Sequence, residues 1–516
     1  MAKPKSLFWA DQIAETILKR KGFHYIKKPA PRMKEHTVKT SASLSGVLHI
    51  GRLSDTIRGE SVYRALKDAG AKAKLIWVAE DMDPLRKVPK GVPANFEKYI
   101  GMPVTDIPDP DGCHKSYAEH HVSEYFNVID DFVKAKMQKF SMRQEYRKGN
   151  FAPYIKKIIG NMEDIIKIQN MYRSNPLPKG WSPWKPICEN CGKIITTSVT
   201  DFADGVAHYE CKDYSFEKTK AKGCGHKGEN DPMKFNGKLM WKSEWAAQWA
   251  RWKVVSEGAG KEYQVPNSAW WVNAEIVERM LGFPMPEPIF YEHIMIDNQK
   301  MSASLGNVVY PSQWLEVAPA ELLRYFYNKK LMKTRSFSWK ELPNLYDDYD
   351  DSAMVYFGRR KLKNKHDEKH VKRLFEMSQL GKPKETEMSF DIAVALSQIP
   401  GKSGKRIDYA RLWVKKYAPE MKIELQERVP VSVVNKLDAK QRNGIKSLID
   451  IIESNPSEQK LYNSFWKIAE EQDIAAKSLF SAVYLALIGR EQGPRLAPFI
   501  LAVGTERVAK VLKQIK

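Results

Sequence analysis

Ser45-Gly46-Val47-Leu48-His49-Ile50-Gly51 lies between a predicted strand and a predicted helix. A short strand is predicted around Val38 to Ser41, and apolar residues at helical spacing from 53 to 69, ended by Gly70, predict the helix. A second strand is predicted at 73–79. Strand, glycine-containing turn, helix and strand make a βαβ unit of a parallel sheet. Such sheets bind ligands at the carboxyl ends of their strands, where this turn and the acidic residues at 80–83 fall.

The α/β pattern is interrupted and then resumes. Residues 7–21 predict a first helix, and the pattern breaks at 108–238, where helical stretches are followed by a proline- and tryptophan-rich passage and a cysteine-rich segment. It resumes at 239, and beyond 345 the spacing is helical throughout. We therefore predict a Rossmann-type parallel-sheet domain with an insertion, followed by an all-α region. The predicted segments are 1–107, 108–238, 239–344 and 345–516.

Composition limits the function classes. The 516 residues carry a formal net charge of +22, which favours a polyanionic partner such as nucleic acid, although a lysine-rich surface alone would give the same excess. No run of 18 apolar residues predicts a membrane span, and no apolar signal core follows the basic N-terminus. The sequence predicts a cytoplasmic protein without membrane contact.

A second motif, Lys300-Met301-Ser302-Ala303-Ser304-Leu305-Gly306-Asn307, follows about 250 residues after the first. Lys300 is a flexible cation able to reach a triphosphate, and the small residues around it suit a tight loop. In the first motif, Gly46 and Gly51 permit close approach of a nucleotide, and His49 offers an N–H donor near a helix N-terminus. The alternative interpretation of the first motif is a capped turn with a packing histidine, and that of the second motif is an ordinary surface turn.

In this order and at this separation, the two motifs resemble the ATP-binding motifs of class I aminoacyl-tRNA synthetases. Other stretches make the chain similar to the class I lysyl-tRNA synthetases over most of its length. These stretches are Trp77 through Pro89, Pro108 through His120, Glu244 through Trp249, Gly260-Lys261-Glu262, Lys300 through Asn307 and Gly489 through Arg495.

The resemblance implies attachment of lysine to tRNA(Lys) with ATP and Mg²⁺, through a lysyl-adenylate. It implies a zinc-bearing insertion, a stem-contact region and a helical anticodon-binding region. It also implies amino-acid activation that needs tRNA; we expect no hydrolytic proofreading, and we favour a monomer. The implied catalytic residues are His49, Lys300, Ser302 and Ser304, and the implied ATP-binding residues are Gly46, His49, Gly51, Lys300 and Met301.

The lysine pocket needs a buried carboxylate for the ammonium and an apolar wall for the stem. Asp55, six residues after His49, is the predicted ammonium partner, where the family commonly has Glu; a solvated helix carboxylate is the alternative. The resemblance adds Ser41 and Ser43, in place of Gly and Thr, Trp245 as a wall, and Tyr263 in place of His.

Glu80 and Asp81, with Asp83, could hold the α-amino group or form ion pairs with Arg86 and Lys87. The departures from the family pattern leave two alternatives open. One is a class I synthetase for another amino acid such as glutamate, and the other is a non-charging RNA-binding paralogue.

Two groups of residues predict metal sites. Cys188, Cys191, Cys211 and Cys224 fit one tetrahedral Zn²⁺, with His226 as an alternative fourth ligand and four free thiols as the alternative interpretation. Asp109, Cys113, His114 and His120 form a second candidate, which the resemblance strengthens. His121 is a less favoured substitute, and surface or capping histidines are the alternative.

Overall fold

The computed structural model describes residues 8–44, 49–89, 91–301, 308–399, 401–422, 426–493 and 495–515. The chain divides into two compact units. The first comprises Met1–Ser312, Leu323–Phe337 and Lys361–Pro383, and the second comprises Gln313–Leu322, Ser338–Arg360 and Lys384–Lys516. The finer division into four segments stays a prediction.

The strands are, in chain order, β1 (His36–Ser43), β2 (Ala73–Glu80), β3 (Met137–Ser141), β4 (Trp184–Pro186), β5 (Thr197–Ala203), β6 (Val206–Cys211), β7 (Tyr214–Ser215), β8 (Lys220–Ala221), β9 (Lys227–Asn230), β10 (Gly237–Leu239), β11 (Val254–Gly260), β12 (Glu287–Tyr291), β13 (Ile294–Ile296), β14 (Gln299–Lys300) and β15 (Arg335–Phe337). The helices are α1 (Trp9–Leu18), α2 (Ile50–Asp68), α3 (Tyr117–Ile129), α4 (Met142–Arg147), α5 (Ala152–Gly160), α6 (Met162–Met171), α7 (Trp241–Trp252), α8 (Ala269–Ile276), α9 (Pro311–Val317), α10 (Ala320–Asn328), α11 (Leu342–Tyr356), α12 (Lys365–Ser378), α13 (Phe390–Leu396), α14 (Lys405–Tyr417), α15 (Val431–Lys436), α16 (Ala439–Glu453), α17 (Glu458–Glu471), α18 (Ala476–Ile488), α19 (Leu496–Val503) and α20 (Thr505–Leu512).

A five-stranded parallel sheet forms the centre of the first unit, in the order β12-β11-β1-β2-β3. The predicted βαβ unit is confirmed as β1, α2 and β2. Strand β1 pairs with β2 along its length, with Ser43 opposite Glu80. Strand β3 comes from the 108–238 segment that we predicted to be an insertion, so that segment also contributes to the central sheet.

The central strands are buried on both faces, as expected for a parallel sheet covered by helices. Val38, Leu75, Ile76 and Val78 are at most 1% exposed. Helix α2 packs against β1 and β2. It approaches closely because Gly59 has no side chain, and a Cβ there would overlap the Thr40 methyl group.

The segment between α6 and α7 builds three small sheets. Strands β5, β6 and β9 form an antiparallel sheet, and β10 pairs with β4 and β7 with β8. Asp204 and Gly205, both at positive φ, make the tight turn of the β5–β6 hairpin. These short strands bring the four cysteines of the segment together.

The second unit is helical in its described part, as predicted for the region beyond 345. Helices α16 to α20 share one apolar core, which includes Ile445, Phe465 and Leu487. Helix α16 begins with a capping box, in which Asp438 and Gln441 each bond the other's backbone. Among the described helices of both units, none is long and apolar enough to cross a membrane.

Candidate active site

A cavity of about 840 Å³ lies at the carboxyl ends of β1, β2, β11 and β12, where a parallel sheet is expected to bind ligands. It contains residues of both motifs. Its lining is Ser41, Ala42, Ser43, His49, Gly51, Arg52, Ser54, Asp55, Glu80, Asp83, Arg86, Trp241, Glu244, Trp245, Gln248, Glu257, Gly258, Ala259, Gly260, Glu262, Tyr263, Tyr291, Glu292, His293, Ile294, Lys300 and Met301.

Most of the residues predicted from sequence meet in this cavity. They are Ser41, Ser43, His49, Gly51, Asp55, Glu80, Trp245, Tyr263, Lys300 and Met301. Asp81 is not part of the lining; it is buried and accepts a hydrogen bond of 2.9 Å from the Arg143 backbone N–H. Gly46, Ser302 and Ser304 lie outside the described residues.

His49 caps the N-terminus of α2, and its Nδ1 accepts a hydrogen bond of 3.1 Å from the Gly51 N–H. Because Nδ1 is an acceptor, the ring proton of the neutral imidazole is on Nε2. Burial, with repulsion from Arg52, lowers the pKa of His49 to about 4. The imidazole is therefore a neutral N–H donor at physiological pH.

The two motifs touch at Gly51. A Cβ on Gly51 would lie 2.9 Å from the His49 ring and 2.9 Å from Met301 Cε, so no other residue fits without displacing one of them. The glycine therefore serves the packing of one motif against the other. Lys300, one residue earlier than Met301, lies in the same cavity.

Asp55 is buried, 9% exposed, on the cavity side of α2. Its carboxylate accepts hydrogen bonds from the Ser41 N–H at 3.3 Å and the Tyr291 hydroxyl at 3.2 Å. Burial, with repulsion from Glu257, raises its pKa to about 6. Among the described residues, no lysine or arginine forms an ion pair with it, which leaves the carboxylate able to accept a ligand cation.

Glu257 on β11 accepts hydrogen bonds from three donors. Lys39 Nζ lies 2.5 Å away, Trp245 Nε1 2.9 Å and Trp249 Nε1 2.5 Å. The Lys39 ammonium is fully buried and also lies 3.6 Å from Glu80. Burial alone would lower the pKa of Lys39, but the two carboxylates together raise it.

A second lysine, Lys238, bridges two more carboxylates, Glu244 at 2.8 Å and Asp83 at 3.3 Å. Asp83 also accepts a hydrogen bond from Ser43 Oγ at 3.1 Å. Glu80 receives one hydrogen bond of 3.1 Å from Gln248 Nε2. Burial raises the pKa of Glu80 to about 7, against the opposing effect of Lys39. The cavity therefore contains more carboxyl groups than protein cations that pair with them.

An aromatic wall adjoins these carboxyls. Trp245 meets Tyr263 edge to face, with ring centroids 5.4 Å apart, and stacks on Trp241 at 5.8 Å. Trp245 is held in place by its bond to Glu257. Carboxylates beside an aromatic wall form a pocket suited to a cation on an alkyl stem.

Sequence reasoning missed several residues of the cavity and its surroundings, above all Lys39, Glu257, Gly258 and Tyr291. A usable signal was present: the buried run Val254-Val255-Ser256 is followed directly by the acid Glu257, just as the buried run of β2 is followed by Glu80. Gly258 is required because a Cβ there would overlap Asp55 Oδ1.

Comparison with known proteins agrees with this geometry. The family model for tRNA synthetases class I (K) matches residues 7–381. The chain belongs to the class I (K) tRNA synthetases. This synthetase is 32% identical to the lysine–tRNA ligase of Pyrococcus furiosus over 546 residues, with 98% of this chain and 99% of the relative covered. The lysine–tRNA ligases of Thermococcus kodakarensis and Methanosphaera stadtmanae are 31% and 29% identical at the same coverage of both chains.

The synthetase brings its four clustered cysteines together, with ligand atoms within 4.8 Å of one another. Cys188 Sγ lies 3.6 Å from Cys224 Sγ, and Cys191 Sγ lies 3.7 Å from Cys211 Sγ. Four thiolates about 2.3 Å from one Zn²⁺ in a tetrahedron would lie about 3.8 Å apart, so the thiols fit this ion. His226, the alternative ligand, bonds Glu189 at 2.7 Å and is not in the group.

The second predicted group also converges. Cys113 Sγ lies 3.2 Å from Asp109, 3.0 Å from His114 Nδ1 and 3.3 Å from His120 Nδ1. One acid, one thiol and two imidazoles make a donor set that suits Zn²⁺. His121 lies apart from this set and belongs to an overlapping group with His120 and Glu124.

Proposed function

We propose that the synthetase attaches L-lysine to tRNA(Lys), using ATP with Mg²⁺ and passing through a lysyl-adenylate. The observation that carries this proposal is the single cavity that holds His49, Lys300 and a cluster of buried carboxyls. A nucleotide site and a cation site in one cavity are what the activation of a cationic amino acid requires. The names of the relatives support the same substrate.

The charge of the cavity favours lysine over glutamate. Lys39 and Lys238 each bridge two carboxylates, and Asp55 has neither as an ion-pair partner. A dicationic ligand, with its α- and ε-ammonium groups, would neutralise carboxyls that the protein leaves uncompensated. A glutamate side chain would instead bring a further carboxylate to Asp55.

We assign the ε-ammonium to Asp55 and the α-ammonium to Glu80 with the hydroxyls of Ser41 and Ser43. Trp245 and Tyr263 then cover the aliphatic stem. Asp81 would act only indirectly, through its bond to the α4 backbone.

In the first step, a lysine carboxylate oxygen attacks the α-phosphorus of ATP and pyrophosphate leaves. Negative charge grows on the phosphate oxygens, and positioned donors stabilise it. His49 Nε2–H and the Lys300 ammonium are these donors, with Gly46, Gly51 and Met301 shaping the nucleotide site. Ser302 and Ser304 complete the proposed set. In the second step, a 3′-terminal ribose hydroxyl of tRNA attacks the lysyl carbonyl and AMP leaves.

We also propose that Zn²⁺ occupies the Cys188–Cys191–Cys211–Cys224 group and the Asp109–Cys113–His114–His120 group. The short thiol–thiol distances support the first site and the convergence of four donors supports the second. None of these ligands lines the cavity, so the ions would stabilise structure and take no part in the chemistry.

The remaining proposals concern partners and organisation. The helical region 345–516 would bind the anticodon arm, for which the net charge of +22 is the supporting observation. We propose a cytoplasmic monomer, with catalytic halves at 1–107 and 239–344 and a zinc-bearing insertion at 108–238.

A charging assay tests the proposal. Purified tRNA, ATP and each of lysine, glutamate and arginine are incubated with the synthetase, and aminoacyl-tRNA and AMP are measured. We expect lysine alone to be attached, and pyrophosphate exchange to need both lysine and tRNA. Attachment of glutamate would establish the first alternative. Binding of tRNA without any charging would establish the second, a non-catalytic RNA-binding protein.

A further inference from the structure

Arg58 is a buried cation without an acidic partner. It lies on α2, three residues after Asp55, and is 1% exposed. Its Nη1 donates a hydrogen bond of 3.1 Å to Ser54 Oγ, and its buried Nε has no hydrogen-bond partner. Among the described residues, no carboxylate forms an ion pair with Arg58, whereas the equally buried Arg324 pairs with Glu60. Burying an unpaired charge destabilises a fold, so packing alone does not explain an arginine at this position.

Two tyrosine rings hold the guanidinium of Arg58. Its Cζ lies 4.3 Å from the ring centroid of Tyr291 and 5.4 Å from that of Tyr327, close enough for attraction between the cation and both ring faces. The Tyr327 hydroxyl donates to the Ile50 carbonyl at 2.7 Å, which fixes that ring at the start of α2. The Tyr291 hydroxyl donates to Asp55 at 3.2 Å, and Tyr291 lines the cavity. The guanidinium is therefore connected to the cavity through Tyr291.

We infer that Arg58 is a positioning residue of the lysine pocket: it fixes the Tyr291 ring against Asp55 and keeps that carboxylate ionised to receive the substrate ammonium. Arg58 does not line the cavity, so it acts through these two residues and does not touch the substrate. A cation over the ring face draws electron density from the phenol, which makes the hydroxyl a stronger hydrogen-bond donor. The inference rests on the proposed function, which assigns the ε-ammonium to Asp55.

Charged and titratable groups face Asp55 from several elements. They are Lys39 on β1, Glu257 on β11, Tyr291 on β12, Arg58 on α2 and Tyr125 on α3. The Lys39 ammonium is shared between two other carboxylates. Arg335 on β15 adds a second positive charge near Arg58, and Glu262 adds a negative charge near Tyr291. Because no carboxylate of the described ranges pairs with Arg58, its charge acts on Asp55 and opposes the repulsion from Glu257.

The pH dependence of the KM for lysine tests this role. In Arg58→Met, the rise in KM that comes from protonation of Asp55 should start about one pH unit higher than in the wild type, because a neighbouring opposite charge has been removed. The KM for lysine should therefore change more near pH 6.5 than near pH 8.5, and the KM for ATP should change little. Arg58→Lys, which keeps the charge, should keep most of the wild-type profile.

Arg64→Met is the matched control. Arg64 lies on the same helix, donates to the Met377 and Gln379 carbonyls at the end of α12, and does not line the cavity. This variant should lose stability without moving the pH profile. Arg58→Gln, which is also neutral and can still donate to Ser54, takes the place of Arg58→Met if that protein does not fold. A loss of stability with an unmoved profile would make Arg58 a purely structural residue and overturn the inference.

A double variant identifies the acid that responds to Arg58. In Asp55→Asn, the remaining pH dependence of the KM for lysine is that of Glu80. Adding Arg58→Met should move it by less than about 0.3 pH units, since both members of the interacting pair have then been changed. A shift of about one pH unit in this background would mean that Arg58 acts on another group, which would overturn its assignment to Asp55.

Stability without lysine separates this inference from the proposed function. Because burial raises the pKa of Asp55 to about 6, the free energy of unfolding falls as pH rises from the ordinary carboxyl value to about 6. In Arg58→Met, the part of this fall that Asp55→Asn removes should extend about one pH unit higher. If it does so in a chain that attaches no lysine, the proposed function is refuted and the action of Arg58 on Asp55 stands. If lysine is attached and neither profile moves, the inference alone is refuted.

Discussion

The thiol cluster of the insertion and the carboxyl cluster of the cavity solve the same electrostatic problem differently. Each gathers groups that repel one another when ionised. The four thiols lie within 4.8 Å of one another, and one dication would satisfy them all. Two lysines, the buried Lys39 and the partly exposed Lys238, already pair with the carboxyls of the cavity, and the carboxyls still outnumber them. In our proposal the first arrangement is closed by one structural ion, whereas the second keeps capacity for a cationic substrate.

The largest effect is expected from breaking the thiol cluster. Structural Zn²⁺ contributes about 10–16 kcal/mol of apparent binding free energy, so Cys191→Ser should lose one zinc equivalent and unfold the insertion. Elemental analysis and thermal melting measure both effects. Ser198→Ala, an exposed residue of β5, is the control. The assignment of a structural ion to the thiols would be contradicted if the wild-type protein as purified contained no zinc. It would also be contradicted if Cys191→Ser left the melting temperature unchanged.

Removing one internal cation tests the carboxyl cluster. Lys39→Met leaves Glu257 and Glu80 without their shared ammonium, and we expect the free energy of unfolding to fall by about 3–5 kcal/mol. Chemical denaturation measures this decrease. Lys72→Met, whose side chain is 76% exposed, should change stability by less than about 0.5 kcal/mol. Equal stability of the two variants would mean that Lys39 does not neutralise the cluster.

Removing the carboxylate of Asp55, which has no ion-pair partner among the described residues, should affect the use of lysine more than the stability of the fold. Asp55→Asn is expected to lower kcat/KM for lysine about 30-fold or more, since one partner of a buried charge pair is removed. Stability at pH 8 should stay equal or rise, because burial disfavours the ionised Asp55 carboxylate. Asp68→Asn, an exposed carboxylate at the end of the same helix, is the control. A lysine KM that stays near the wild-type value would remove Asp55 from the ammonium site.

The pH dependence is the mildest test. The pKa of Asp55 is raised to about 6 and that of Glu80 to about 7, so both protonate as pH falls through these values when lysine is absent. An ammonium ligand binds the ionised forms. The KM for lysine should therefore rise below pH 7, by about tenfold per pH unit for each group that has protonated.

The same shifts have a stability counterpart. Without lysine, the free energy of unfolding should fall as pH rises from the ordinary carboxyl values through 6 and 7, because the folded state then holds two disfavoured charges. Asp55→Asn should remove the step near pH 6. His49, with its pKa lowered to about 4, should remain neutral in the folded protein from pH 5 upward.

A lysine KM that is constant from pH 8 to about 5.5 would contradict the assignment of both acids, Asp55 and Glu80, to the binding of lysine.

The sequence was sufficient for features set by local order. The strand-like stretch before Gly51 and the helical spacing after it predict β1, α2 and β2, and they put His49 and Asp55 at and just after the N-terminus of α2, near the carboxyl end of β1. Cysteine spacing predicted the thiol group, whereas the group around Cys113 was predicted from suggestive spacing together with the family resemblance, with a turn needed to bring His114 and His120 together.

Features set by strand order could not be found in this way. Glu257 and Gly258 join the site because β11 pairs with β1, more than 200 residues earlier, and β3 joins the sheet from within the predicted insertion. Asp81 follows Glu80 directly at the end of β2, but successive residues of an extended chain point to opposite sides, and only Glu80 lines the cavity.

Gly258 and Asp55 form a pair in which neither position is independent of the other. Any side chain at 258 would occupy the space of the Asp55 carboxylate, and a longer acid at 55 would have to avoid the β11 backbone. A single substitution at either position, made to fit a substrate of a different length, therefore meets a steric obstacle. Mutational libraries that vary the two codons together would explore specificities that one-site scans of this pocket never sample.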